Sequence, residues 1–133
     1  MSYDQFLVKL NQCISKDTAD DLAKDFCYIN TKGNKKKLIA DIVEYRYDYA
    51  LMTPFFCRMI ANLGKYFKDI AEGLVVKLMD DFNHLKENTK DSFKDKERRI
   101  RNMKFICELT KFRVCSTLNM LNCLKEYFFF LLF

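Results

Sequence analysis

Turn-forming residues are scarce in this chain of 133 residues: glycine occurs only at 33, 64 and 73, and proline only at 54. An all-β fold joins many short strands through turns that need such residues, so the scarcity excludes one and leaves a chain that is almost entirely helical. Histidine is scarcer still. His84 stands alone, outside the spacings used by zinc sites, and none of the six cysteines, at 13, 27, 57, 107, 115 and 123, forms a C-x-x-C pair. Cysteines among helical core positions act as small buried hydrophobes, so neither a metal site nor a disulfide framework is expected. Gly64 and Gly73 lie too far apart to build a glycine-rich phosphate loop, and no cofactor is expected. The amino terminus lacks a basic stretch leading into an apolar core and a small-residue cleavage site, so no secretory signal is read there. The apolar ending from Tyr127 to Phe133 is far short of the roughly 20 residues that cross a bilayer. No membrane partner is expected.

What the chain has is apolar material, half of all residues, enough for one continuous core. Ser2 and Gln5 have capping-box spacing and predict a first helix over about 3–14, with Phe6, Leu7, Leu10 and Ile14 buried. Asp17 and Thr18 offer the next cap, for a helix carrying Leu22, Ala23, Phe26 and Ile29. Asn30 or Thr31 caps a third, with Leu38, Ile39, Ile42 and Val43, and "YRYD" separates it from a fourth with Leu51, Phe55, Phe56, Met59, Ile60 and Leu63. Pro54 stands in the first turn of that fourth helix or kinks it. A fifth helix over about 68–86 places Ile70, Leu74, Val75, Leu78, Met79 and Phe82 on one side. The polar stretch "ENTKDSFKDK" reads as a flexible loop. A sixth helix over about 97–112 shows Ile100, Met103, Ile106, Cys107 and Leu109 and is expected at the centre, against helices four, five and seven. Ser116 caps the seventh.

The reading is therefore an all-α fold, a single antiparallel helical-hairpin solenoid of HEAT-like type with about seven helices. A last hairpin needs a polar outer face, and this one lacks it. Three hairpins and the first helix of a fourth are expected, as in a partial domain. Phe129 and Leu132, three apart on one face, form the expected exposed apolar contact, through which the isolated chain self-associates.

Three stretches carry a family likeness: "NTKGNKKKL" at 30–38, "YDYALMTPFFCRMIANL" at 47–63 and "IRNMKFICELTKF" at 100–112. They resemble the middle domain of translation initiation factor 4G. Within that family, the likeness is to the second of three such domains in a factor of nonsense-mediated mRNA decay, and it covers about 6–127. The resemblance implies a non-enzymatic scaffold in an mRNA surveillance complex, whose partners are other decay factors bound through the full-length protein, in the cytoplasm and around the nucleus. It supplies no partner-binding residues for this stretch.

Charge is segregated. Residues 30–68 and 96–133 each carry eight Lys and Arg against three Asp and Glu, an excess of five, while the remaining segments are net acidic. Lys32, Lys35, Lys36 and Lys37 crowd the start of the third helix; Lys96, Arg98, Arg99, Arg101 and Lys104 crowd the start of the sixth. Such clusters either keep a helix face in water or neutralise RNA phosphates. RNA is thus a second candidate partner, and an activator clamped to a translation-type RNA helicase is a third reading. Tyr45, Tyr47 and Tyr49 read as the closure of a helix junction. Glu108 and Leu109 read as structural: Glu108 pairs with Lys111 or fixes the angle between hairpins, and Leu109 lies in the core. Enzyme activity is not expected, because the acids are scattered rather than convergent.

Overall fold

In the computed structural model, α1 (Tyr3–Leu10) opens with the capping box: the Gln5 N–H donates to the Ser2 hydroxyl at 3.3 Å, and the Ser2 N–H donates to Gln5 Oε1 at 3.0 Å. The structure describes residues 1–87 and 93–132, and the side chains of all of these except 87, 93, 94 and 129–132. Helix α1 stops four residues earlier than the periodicity predicts, and Ile14 is exposed instead of buried. The cause is the next cap. Ser15, not Asp17 or Thr18, starts α2 (Lys16–Phe26), with its hydroxyl accepting from the Thr18 N–H at 3.1 Å and Thr18 Oγ1 accepting from the Ser15 N–H at 2.9 Å.

Thr31 caps α3 (Lys32–Asp48), its hydroxyl accepting from the Asn34 N–H at 3.1 Å. The helix runs on through "YRYD", which the sequence reading takes for a break. Arg46 explains the continuation: it is 2% exposed, donates from Nη2 to Asp81 at 2.7 Å and lies 4.3 Å from the Tyr47 ring centroid. A charged residue thus occupies a core position. A 3₁₀ turn over Ala50–Met52 leads into α4 (Thr53–Gly64), and Pro54 sits in the first turn, where its missing N–H breaks no helix bond. Leu51, expected in the core, is 93% exposed on that turn.

Three further helices follow: α5 (Lys68–Glu87), α6 (Phe93–Lys111) and α7 (Thr117–Leu132). Helix α6 begins at Phe93, inside the stretch expected as a loop, and residues 88–92 of that stretch lie outside the described residues. The α7 cap is the predicted one, with the Asn119 N–H donating to the Ser116 hydroxyl at 3.1 Å. Seven helices and no strand make up the described residues.

Helices α2, α4 and α6 pack side by side, and α3 packs beside α5. Polar ties join neighbours: Tyr3 to Asp41 between α1 and α3, Arg58 and Asn62 to Asp20 between α4 and α2, and Lys86 to Glu126 between α5 and α7. The two helices of the α3–α5 pair also meet closely at Gly73, where an added Cβ would come within 2.8 Å of Ile39 Cδ1, the tip of a side chain that would have to shift to admit it. Helix α6 is central, in contact with α3 as well as with the predicted α4, α5 and α7. It buries Met103, Phe105, Ile106 and Leu109, while Ile100, expected on this face, is exposed. Polar residues share the buried face. Arg99 Nε donates to the Leu85 carbonyl at 3.3 Å and Asn102 Nδ2 to the Leu78 carbonyl at 3.5 Å, both on α5.

Leu109→Ala removes a fully buried side chain from this helix and is expected to lower unfolding free energy by about 2–5 kcal/mol in chemical denaturation. A loss under about 1 kcal/mol would place Leu109 outside the core.

Candidate functional site

The two basic segments do not form one surface. Lys32, Lys35, Lys36 and Lys37 lie at the amino end of α3, whereas the start of α6 meets its carboxyl end, where Arg98 stands 5.6 Å over the Tyr47 ring. A helix rises 1.5 Å per residue, so the 17 residues of α3 separate the clusters by roughly 20 Å. Individual cations are also engaged. Lys35 pairs with Asp69 at 3.1 Å and lies 4.8 Å from the Phe67 ring, and Lys37 lies 5.7 Å from the Tyr3 ring. Arg99 is buried and Arg101 pairs with Glu97 at 2.8 Å while donating to the Tyr47 carbonyl. Lys32, Lys36, Lys96, Arg98 and Lys104 remain exposed. The tyrosines close the α3–α4 junction: Tyr45 meets Tyr49 edge-on at 4.9 Å and Phe56 at 6.1 Å.

Between the start of α4 and α7, one face of α6 forms the floor of an open groove of about 500 Å³. Its apolar lining includes Leu51, Pro54, Ile100 and Phe128, and Arg101 and Lys104 add positive charge. Spacing predicts Leu51 and Ile100 in the core, whereas both are exposed along this groove. Glu108 also lines the groove and accepts from Lys111 at 2.8 Å. No hydrogen bond from a neighbouring hairpin reaches it among the described residues, so the pairing within the helix, rather than the tie between hairpins, is the one observed.

On α7, Leu118, Leu121 and Phe128 face solvent, while Cys123 is buried against Met79 of α5. The side chains of Phe129 and Leu132, the expected contact, lie outside the described residues.

Several polar groups join helices. Hydrogen bonds from Arg58 hold the Asp20 carboxyl below its ordinary range, and burial with the Asp41 hydrogen bond raises the Tyr3 hydroxyl. Burial also pushes the Cys13 and Cys123 thiols up to about 11 and Cys57 well above its usual value. These thiols stay protonated at neutral pH and act as packing groups. No cluster of three His, Cys, Asp or Glu able to hold a metal occurs among the described residues.

A stack of antiparallel amphipathic helices belongs to the class of HEAT-like helical-repeat folds. Within that class the chain belongs to the MIF4G domain family, whose model matches residues 4–133. It is 36% identical over 124 residues to the "Regulator of nonsense transcripts UPF2" of Arabidopsis thaliana, covering 93% of this chain and 10% of that protein. The "Regulator of nonsense transcripts 2" of Mus musculus and that of Homo sapiens are also 36% identical over 124 residues, covering 92% of this chain and 10% of each protein. The chain thus spans about a tenth of the length of the curated relatives it matches.

Thiol labelling of the native chain is expected to modify exposed Cys27 rapidly and buried Cys13, Cys57, Cys115 and Cys123 only on unfolding. Native-state labelling of the buried four at the rate of Cys27 would contradict this burial.

Proposed function

We propose that the chain is a non-enzymatic adaptor module of a nonsense-mediated mRNA decay factor, holding protein partners in position within a cytoplasmic mRNA surveillance complex. We further propose that it corresponds to the second of the middle domains such a factor carries. The observation behind the first step is the 36% identity to the plant and mammalian regulators, sustained over more than nine-tenths of this chain. The second rests on "NTKGNKKKL", "PFFCRMIANL" and "ELTKF". Physical support comes from where the polar groups go. Ties such as Arg46 to Asp81 and Arg58 to Asp20 fix adjacent helices against each other, as suits a spacer that must hold its shape between partners.

In this reading the described helices are three hairpins and the first helix of a fourth. The Leu118, Leu121 and Phe128 face of α7 is then the seat of a further helix, since an exposed apolar stripe in a solenoid is where the next unit stacks.

Grafting this chain over the matching 124-residue stretch of the Mus musculus relative tests the adaptor reading. The chimera is expected to keep a premature-stop reporter mRNA short-lived in cells lacking their own copy. A folded, normally expressed chimera that leaves the reporter as stable as deletion of the stretch would overturn it.

In the isolated chain a second copy takes the place of the further helix, so light scattering should report a dimer, and Leu121→Lys combined with Phe128→Lys should yield a monomer. A monomeric parent at every concentration would reject this use of α7.

A further inference from the structure

At the end of the stack where α2, α4 and α6 finish, two hollows lie side by side. The larger, about 630 Å³, is lined by Arg58, Lys65, Lys68 and Arg113 around a floor that includes Gly64. The smaller, about 230 Å³, shares Asn62 and Lys65 with it and adds Lys24 and Tyr66. Five cations therefore face two carboxylates, Asp20 and Glu72. Asp20 is already taken: it accepts from Arg58 at 2.9 and 3.1 Å and from Asn62 at 2.8 Å. Lys24, Lys65, Lys68 and Arg113 are exposed and enter no ion pair among the described residues.

Two of these cations stand where they weaken the fold. Arg113 is the one non-glycine residue with positive φ, 62°, among the described residues. It closes α6 through bonds from its own N–H to the Thr110 carbonyl at 3.0 Å and from the Val114 N–H to the Leu109 carbonyl at 2.9 Å. That position of a helix-ending turn favours glycine. Lys68 begins α5, and the positive end of a helix repels a cation. Charge needed only for solubility has no reason to sit at either place. Beside the cations stand two rings in water: Tyr66, 77% exposed, and Tyr28, 86% exposed, next in sequence to Cys27 of the smaller hollow.

We infer that this end of the stack binds single-stranded RNA, with Lys24, Lys65, Lys68 and Arg113 neutralising phosphates across the two hollows and Tyr66 and Tyr28 presenting ring faces to bases. The site is separate from the basic start of α6. An acidic protein segment would use the cations and leave both rings facing water, which makes RNA the better fit.

Fluorescence anisotropy on the whole chain, with a labelled oligouridine of about 20 nucleotides and a polyglutamate peptide as probes, tests the inference. Oligouridine should bind at low salt and weaken as salt rises. Lys65→Glu with Lys68→Glu should reduce affinity at least about tenfold and flatten the plot of log affinity against log salt by about 0.7 per lost phosphate contact. Tyr66→Ala should weaken binding about tenfold with the salt slope unchanged. Arg113→Gly separates a structural role from a binding one: it should raise the thermal midpoint yet lower RNA affinity. Lys96→Glu with Arg98→Glu, at the other end of α3, should leave binding unchanged. Absence of RNA binding at low salt, full affinity in Arg113→Gly, or polyglutamate binding as tightly as oligouridine with Tyr66→Ala silent would each overturn the inference, the last in favour of an acidic protein partner.

Discussion

Burial of α6 against α3, α4, α5 and α7 is the constraint on which the rest of the molecule depends. Met103, Phe105, Ile106 and Leu109 leave water on that helix, and each such side chain contributes about 1.5–3 kcal/mol. Exposed ion pairs such as Lys9–Asp25 and Lys86–Glu126 contribute about 1 kcal/mol or less. Apolar burial therefore sets the stack, and the ion pairs trim its angles. The groove on one side of α6 and the basic hollows at its carboxyl end both inherit their shape from this placement, since α6 forms the groove floor and Arg113 ends the helix.

Arg46 shows the other half of the energetics. Removing a guanidinium from water is costly, and its partner Asp81 comes from a helix 35 residues away, so the pair forms only when α3 and α5 have met. Breaking one partner leaves a charge stranded at a core position. The same logic applies to Arg99 and Asn102, which bond to carbonyls of α5. Polar groups buried in this way select one register between helices. That selection suits the proposed adaptor role, in which surfaces are held at fixed separations.

How much of this was legible in sequence follows from which forces are local. Caps are local, and Ser2 with Gln5, Thr31 and Ser116 were readable because each bond spans three residues. Ser15 was missed because Thr18 returns the bond where a Glu or Gln is the usual signal, and Ile14 was misplaced as a consequence. Long apolar periodicity gave the core of α5 and most of α6. It failed on α3, where Arg46 occupies a buried position and masks the helix beyond Glu44, and on Ile100 and Leu51, whose exposure is decided by neighbours distant in the chain. The basic runs at 32–37 and 96–104 were visible as runs, but their separation along α3 was not. The cations of the two hollows were illegible for the opposite reason: Lys24, Arg58 and Lys68 come from three helices and Lys65 and Arg113 from the turns after α4 and α6, and only the stacking of α2, α4 and α6 assembles them.

The claim that α6 is the spine of the stack is tested most directly by native-state hydrogen exchange followed residue by residue under increasing denaturant. Amides of residues 103–109 are predicted to exchange only through global unfolding, with protection at the level of the whole domain's stability, while those of α1 and α7 open at lower free energy. Exchange of residues 103–109 through a local opening, at a free energy below that of α2 or α7, would contradict the account.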